Sequence, residues 1–351
     1  MEQLTLLLSF IALAGFWHTE PGKVSEAVVE LMARMQPRQE LVWGPALRMP
    51  LTDRSGKAIL RSDALVFISR DRDTGEYCVV FRGTNPVSSM EWLFQDFKVR
   101  EQVPWRRISP GRAPEEASIS EGAAAALSLR LGLRPEESVA GAGTSLAEAL
   151  LDIAERREAP CGLTFTGHSL GGLLAPLAAL WLVERLEAEG GSAPLPRIEA
   201  WTYAAPTAGN RAFAAYLDAR LPGHRRYANA LDLVPRAWEE EAMASLPSLY
   251  GPDIGPQPVA RSMLRLGARL AKGGDYAQPG DALPVPAEVI PVLGGLYLLE
   301  AAYQHCGPYL DLLPPEDKAT ILREIYEPLV ELVSVKGLRP VELRTLFRAG
   351  R

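Results

Sequence analysis

The chain has 351 residues, of which 47% are hydrophobic and 23% charged, and its formal charge is −6. This composition is typical of a folded globular protein and excludes a disordered chain, and the acidic balance excludes the basic footprint of a nucleic-acid-binding protein. The three cysteines stand at unrelated spacings, so neither a disulfide framework nor a metal site is predicted.

The chain begins with an apolar segment from Leu4 to Trp17, which precedes an amphipathic helix predicted over 24–35. Two interpretations of the apolar segment stay open. It has no Lys or Arg before it, which favours a helix retained in the core and a cytoplasmic protein. Small residues at Ala12 and Ala14 are compatible with a secretory signal and a secreted protein.

Strands and helices then alternate along the chain. Residues 63–71 and 76–83 predict a hairpin. Further helices are predicted over 119–133, 144–160, 173–187 and 209–221, and further strands over 161–166, 197–206 and 224–230. This alternation predicts an α/β fold with a mostly parallel central sheet and helices on both faces.

The alternation stops in the proline-rich segment 238–291, which we interpret as a lid or cap insertion in a single domain spanning 1–351. Residues 292–351 are predicted to be largely helical. Within the insertion, 258–273 predicts an amphipathic helix with Val259, Met263, Leu266 and Leu270 on one side and Arg261, Arg265, Arg269 and Lys272 on another. Such a helix either contacts a lipid surface or covers a cleft, or it is packed permanently on the domain.

Residues 167–171 read GHSLG and match the G-x-S-x-G pattern of a nucleophile elbow, a sharp turn between a strand and a helix. Glycines at both ends of the pattern avoid clashes between a Cβ atom and the adjacent backbone. The helix that follows offers N–H groups and a positive dipole end to an oxyanion. Ser169 is therefore the predicted nucleophile.

A serine nucleophile needs a histidine base, and the chain has four histidines. His168 adjoins the serine and leaves the turn in another direction, His18 lies in the N-terminal segment, and His224 precedes the best acid. Because the histidine comes last in this architecture, His305 is the predicted base, in a loop before a Gly-Pro turn.

The acid is expected to follow a strand and to precede the base. Asp232 stands just beyond the strand predicted over 224–230, in a turn closed by Pro235, and it is the predicted acid. The second oxyanion donor is expected after an earlier strand. The run VVFRGT ends at Thr84, whose N–H is predicted to act together with that of Leu170.

Six motifs occur in a fixed order: VVFRGT, EWLFQDF, TGHSLGGLLAPLAALWL, YAAPTAGN, NALDLVPR and YQHCGPY. The set resembles the fungal-type, or class 3, triacylglycerol lipases over residues 62–312. The resemblance implies an α/β-hydrolase fold, the same triad and oxyanion donors, and carboxylic-ester hydrolysis without a cofactor. It also implies a short mobile lid around residues 85–94. The chain departs from the family pattern at ISEGAAA and in the long interval between acid and base.

The predicted activity is hydrolysis of lipid or other acyl esters through an acyl-enzyme, with Ser169 attacking, His305 taking its proton and Asp232 orienting the imidazole. No metal or cofactor is expected, since neither a ligand cluster nor a dinucleotide motif is present. The expected partners are a small-molecule or lipid ester and, transiently, a lipid surface. Two alternatives stay open: a catalytically silent scaffold that binds lipid or protein, and an acyltransferase with the same triad.

Overall fold

The structure is a computed structural model that describes residues 1–18, 20–49, 51–52, 58–60, 64–84, 98–155, 162–189, 196–252, 254–290 and 296–327. The strands are β1 (Gln39–Arg48), β2 (Leu51–Thr52), β3 (Ala58–Leu60), β4 (Ala64–Asp71), β5 (Tyr77–Phe81), β6 (Gln102–Pro104), β7 (Ser118–Ser120), β8 (Leu163–His168), β9 (Ile198–Tyr203), β10 (His224–Asn229) and β11 (Ala282–Val285). The helices are α1 (Glu2–Ile11), α2 (Pro21–Met35), α3 (Glu121–Leu131), α4 (Leu146–Glu155), α5 (Leu170–Ala188), α6 (Arg211–Arg220), α7 (Glu240–Ser245), α8 (Pro258–Ala271), α9 (Tyr297–Leu310) and α10 (Pro315–Ile321).

The main sheet has seven strands in the order β1-β4-β5-β8-β9-β10-β11. From β5 to β11 all neighbouring strands are parallel, whereas β4 is antiparallel to both β1 and β5. The predicted hairpin is the β4–β5 pair. The mostly parallel sheet confirms the predicted fold class and brings the carboxyl ends of β5, β8 and β10 to one edge, where ligands bind in open α/β sheets.

Two hydrophobic cores lie on the two faces of this sheet, because successive side chains of a strand point in opposite directions. In β4, Val66 and Ile68 belong to the core beneath α3, α4, α5 and α6, whereas Leu65 and Phe67 belong to the core beneath α1, α2 and α10. Burial on both faces explains why β4 is a continuous apolar run in the sequence.

The N-terminal apolar segment forms α1 and lies in the second core, where Leu8 and Phe10 are fully buried. The buried guanidinium of Arg82, at the end of β5, donates to the backbone carbonyls of Ala12 and Ala14 just beyond α1. The interpretation of this segment as a core-packed helix agrees with the structure. Since Arg82 precedes Gly83 and Thr84, the same contacts anchor the loop in which the second oxyanion donor was predicted.

Residues 238–291 contain α7, α8 and β11. The sequence did not predict β11, because Pro284 and Pro286 obscure it. Proline is tolerated in an edge strand, and β11 is the parallel edge neighbour of β10. The last part of the segment is thus fixed to the sheet, and a lid or cap role for the remainder stays a prediction. The described part of the C-terminal region, 296–327, is helical.

Candidate active site

Ser169 lies at the turn between β8 and α5, as predicted for a nucleophile elbow. Its backbone has φ 59° and ψ −126°, a left-handed conformation that is uncommon for a residue with a side chain. The turn is held by its own backbone: the Ser169 N–H donates to the Tyr203 carbonyl at 2.9 Å, and the Ser169 carbonyl accepts from Leu173 at 3.1 Å. Strain of this kind persists where the surrounding structure enforces it, which is typical of catalytic residues.

The glycines around the elbow are required by close backbone packing. A Cβ atom on Gly171 would lie 2.1 Å from the carbonyl oxygen of Phe81, and one on Gly167 would lie 2.3 Å from the carbonyl carbon of Gly171. On Gly83 it would lie 2.6 Å from the His168 carbonyl oxygen. The three glycines therefore let β5, β8 and α5 approach one another closely at the carboxyl edge of the sheet.

Asp232 and His305 are brought together although they are 73 positions apart in the sequence. His305 Nδ1 lies 2.9 Å from Asp232 Oδ2, and the two residues are 7% and 0% exposed. The other carboxylate oxygen, Oδ1, accepts from the Val234 N–H at 2.9 Å. Because a carboxylate only accepts, the imidazole carries its proton on Nδ1, which leaves Nε2 available to take a proton.

Tyr309 also belongs to this arrangement, although the sequence analysis assigned it no role. Its hydroxyl donates to Asp232 Oδ2 at 3.1 Å and accepts from the Asn229 N–H at 2.9 Å. Tyr309 follows His305 by one helical turn, so both side chains lie on the same face of α9. This spacing is the only feature of the sequence that could have indicated its contact with Asp232.

The expectation that His305 lies in a loop is wrong, because it lies inside α9. The Gly-Pro pair that predicted a turn does not end this helix: Pro308 lies inside it. Proline lacks the N–H that would bond the carbonyl four residues earlier, that of Gln304. The side-chain amide of Asn229 donates to that carbonyl at 2.9 Å instead, so the helix continues past the proline without an unsatisfied carbonyl.

Ser169 and His305 are not hydrogen-bonded to each other among the described contacts of the structure. They are linked through His168, whose ring centroid lies 4.7 Å from that of His305. Nucleophile–base hydrogen bonds are often long or unformed in the free enzyme and shorten when substrate binds. The structure therefore shows the Asp232–His305 pair as formed, and the residue next to Ser169 contacts His305.

Of the two predicted oxyanion donors, Leu170 follows Ser169 directly, and Thr84 follows a glycine that packs against Ser169. Leu170 is the first residue of α5, where N–H groups lack partners within the helix. A Cβ atom added to Gly83, the residue before Thr84, would lie 3.4 Å from Ser169 Cβ. The backbone at Gly83 therefore packs against the serine. The Thr84 hydroxyl is buried and has no hydrogen-bond partner in the described part of the chain. Such a hydroxyl is available to a ligand.

Two further histidines and two cysteines are poorly suited to the chemistry. Burial lowers the pKa of His168 well below its usual range, and burial, followed by the charge of Arg226, lowers the pKa of His224 to about 4. Burial likewise raises the thiol pKa to about 12 at both Cys78 and Cys306, where nearby acidic groups add a smaller effect. Thiols with such a pKa are largely protonated and poorly nucleophilic at neutral pH. Cys161 lies outside the described residues.

Helix α8 forms where it was predicted, but the side that faces the core is not the predicted apolar side. The residues that face the core are Ala260, Leu264, Gly267 and Ala271. Met263 and Leu270 are half-buried beside them, whereas Val259 is 67% and Leu266 42% exposed. Small side chains let the helix approach the domain closely. Each core-facing residue therefore follows one of the predicted apolar residues by one position. The lid predicted around residues 85–94 lies outside the described residues.

In the part of the chain that the structure describes, no group of three or more His, Cys, Asp or Glu side chains has an arrangement suited to a metal ion. No helix among the described residues combines the length and apolar character needed to cross a bilayer.

Comparison with known proteins identifies the family. The model of the family "Lipase (class 3)" matches residues 78–241. The structure is similar to that of M37 lipase, with a TM-score of 0.79 and 30% identity, covering 90% of this chain and 96% of that one. Nonglycosylated LIP2 lipase of Yarrowia lipolytica is more distant, at 15% identity and a TM-score of 0.49, covering 82% and 79% of the two chains. The chain therefore belongs to the class 3 lipase family of α/β-hydrolases and is a carboxylic-ester hydrolase.

Proposed function

We propose that Ser169, Asp232 and His305 are the catalytic triad and that the N–H groups of Leu170 and Thr84 form the oxyanion hole. The observation that carries this proposal is the buried Asp232–His305 hydrogen bond of 2.9 Å at the edge of the sheet where the strained Ser169 turn lies. These groups have the roles and the order of a serine hydrolase triad.

The mechanism follows from these positions. His305 Nε2 takes the proton of the Ser169 hydroxyl as its oxygen attacks the ester carbonyl carbon. The tetrahedral oxyanion accepts hydrogen bonds from Leu170 and Thr84, and the Thr84 hydroxyl supplies a third donor. The imidazolium then protonates the leaving alcohol. Water, activated by the same histidine, hydrolyses the acyl-enzyme, while Asp232 stabilises the imidazolium in both steps.

Three variants test the triad: Ser169→Ala, His305→Ala and the variant with both changes. We expect kcat to fall by about 10⁴-fold or more in each single variant, because only binding and the oxyanion hole remain. The double variant should lose little more than either single variant, since the two residues act as one unit. Losses that multiply, or full activity in folded Ser169→Ala, would contradict the assignment.

We infer further that the substrate is a lipid ester reached at an anionic lipid surface, and that α8 makes the surface contact. Arg261, Arg265, Arg269 and Lys272 are all exposed, and α8 has no acidic residue, although the whole chain has a charge of −6. Among the described residues none of these four cations has an ion-pair partner. Val259 and Leu266 are exposed on an adjacent part of the helix. Cationic and apolar side chains on one outer surface are typical of helices that lie on anionic lipid.

The position of α8 relative to the proposed triad supports this inference. The Gln257 side chain, which precedes α8, accepts from the N–H of Tyr297, the first residue of α9. Beyond the other end of α8, the Gly274 carbonyl accepts from the Gln102 side chain at 2.6 Å. The helix is therefore attached to the first residue of the helix that carries His305, which supports a link between a lipid bound at α8 and the proposed triad.

Vesicle binding tests the lipid contact independently of catalysis. In the Ser169→Ala background, replacing Arg261, Arg265 and Arg269 by Gln should weaken binding to phosphatidylserine-containing vesicles by tenfold or more, because each cation near the surface contributes about 1 kcal/mol. The parent protein's binding should weaken with added salt. A control with the same charge change replaces three exposed, ion-paired arginines outside the helices and strands, Arg38, Arg134 and Arg197. Equal losses in both triple variants, or equal binding to neutral vesicles, would contradict a role of α8.

A further inference from the structure

His168, the residue before the proposed nucleophile, makes a contact that the mechanism above does not use. Its Nε2 lies 2.8 Å from the backbone carbonyl oxygen of His305. A carbonyl oxygen only accepts, so His168 Nε2 carries a proton and donates it. One side chain thus joins the residue beside the nucleophile to the backbone of the proposed base.

The surroundings of His168 hold its ring in place and keep it neutral. The residue is 3% exposed, and its ring centroid lies 5.1 Å from that of Phe10, 4.7 Å from that of His305 and 5.4 Å from that of Tyr309. Burial, followed by the nearby His305, lowers its pKa well below the usual range. A neutral imidazole with its proton on Nε2 has none on Nδ1, so its single donor is committed to the His305 carbonyl.

The carbonyl that accepts this bond lies where α9 departs from a regular helix. Pro308 leaves the Gln304 carbonyl without its usual donor, and the Asn229 side chain supplies one. The next carbonyl along the chain is that of His305, and His168 donates to it. Two side chains therefore hold α9 at this point, one from the end of β8 and one from the end of β10.

We propose that His168 is a positioning residue: its hydrogen bond to the His305 backbone sets the separation between the Ser169 hydroxyl and the His305 imidazole. The inference rests on the proposed triad, because it assumes that this separation governs proton transfer. The reacting atoms must meet within about 3–3.5 Å, and a shift of about 1 Å can lower the rate by about 100-fold. Without the bond, α9 keeps its fold but the imidazole loses its fixed distance from the serine.

Two substitutions at His168 separate the hydrogen bond from the packing. His168→Phe keeps a ring and removes the donor, whereas His168→Gln places an amide N–H near the position of Nε2. His224→Phe is the matched control, since His224 has a depressed pKa and contacts a side chain, Thr202, instead of the base. Active sites are counted with an organophosphate so that unfolded protein does not contribute to the measured rates.

We expect His168→Phe to lower kcat per active site about tenfold or more with KM changed less than about twofold, because the loss concerns the transition state and not binding. His168→Gln should restore kcat to within about threefold of the parent. His224→Phe should retain the parent kcat. The proposal is wrong if His168→Phe keeps kcat within about twofold, or if the Gln and Phe variants lose activity equally.

The unaltered protein offers a test that does not depend on the folding of any variant. Imidazole nitrogen chemical shifts in protein with ¹⁵N-labelled histidine report which nitrogen carries a proton. At pH 7 His168 should be neutral with the proton on Nε2. A proton on Nδ1 alone, or a charged ring, would overturn the proposal. If instead the assignment of the triad is wrong, activity survives in Ser169→Ala.

Discussion

Tyr309 shows how one hydroxyl can support both the fold and the proposed acid, because it donates to Asp232 and accepts from the Asn229 N–H. Tyr309→Phe should lower the free energy of unfolding by about 1–3 kcal/mol, since a buried N–H loses its acceptor. It should also lower kcat several-fold, because Asp232 loses one of the bonds that orient it. Denaturant unfolding and kcat per active site measure the two effects. Tyr303→Phe on the same helix is the control, and an equal effect there would argue against a specific role.

Glycines give a second prediction at the scale of single residues. Gly171→Ala puts a Cβ atom 2.1 Å from the Phe81 carbonyl oxygen, so β5 or α5 must move, and we expect a loss of about 3 kcal/mol or more. Gly22→Ala in α2 meets nothing within 4 Å and should instead stabilise the protein by about 0.4–1 kcal/mol. Thermal unfolding of the two variants compares them directly. Similar shifts of Tm in both would contradict the packing described for the elbow.

The sequence analysis found those residues of the proposed site whose chemistry depends on local pattern. Ser169 lies in a short motif with a strand before it and a helix after it, and Asp232 follows a strand. The contacts of Tyr309 and His168 depend on which atoms meet after folding. For Tyr309 the sequence offered only its spacing of one helical turn from His305, and for His168 it offered no signal. The contact of His168 with the His305 carbonyl was not predictable from the sequence.

At the scale of elements, α1 depends on a buried arginine. Arg82 donates to the Ala12 and Ala14 carbonyls at the end of that helix. Arg82→Leu should cost about 3 kcal/mol or more, because buried carbonyls lose charged donors and α1 loses its attachment to β5. Arg72→Leu, at an exposed position in the turn before β5, should change stability by less than about 0.5 kcal/mol. Chemical denaturation measures both, and equal small effects would show that α1 is held by its apolar packing alone.

Helix α9 and strand β11 show why the sequence did not predict every element. Gly307 and Pro308 are ordinary signals of a turn, and only the amide supplied by Asn229 from β10 allows the helix to continue. Pro284 is an ordinary argument against a strand, and only the edge position of β11 accommodates it. In both cases a neighbouring element overrides the local preference.

For the molecule as a whole, the pH dependence of stability follows from a histidine outside the proposed site. The pKa of His224 is lowered to about 4 in the folded protein, against about 6.5 when unfolded. Between these values the unfolded chain binds a proton that the folded chain does not. The stabilisation is therefore complete above about pH 6.5 and is lost as the pH falls towards 4. His168 acts in the same direction.

Between pH 7 and pH 5 the His224 contribution should fall by up to about 2 kcal/mol. Urea unfolding at the two pH values measures this loss, and His224→Gln should make it smaller. An unchanged pH dependence in that variant would show that other groups cause it.

The overall fold was predictable because alternating strands and helices and the order of motifs extend over most of the chain, whereas the contribution of β11 to the sheet was not.

The central claim is that Ser169 is the nucleophile of an Asp232–His305 pair, and covalent labelling tests it most directly. The protein is treated with an organophosphate ester, which reacts with activated serine hydroxyls, and is then digested for peptide mass spectrometry. We predict one phosphoryl group per molecule, on the peptide that contains Ser169, with activity lost in proportion to labelling. Loss of activity with the label on another residue, or full activity with Ser169 labelled, would contradict the account.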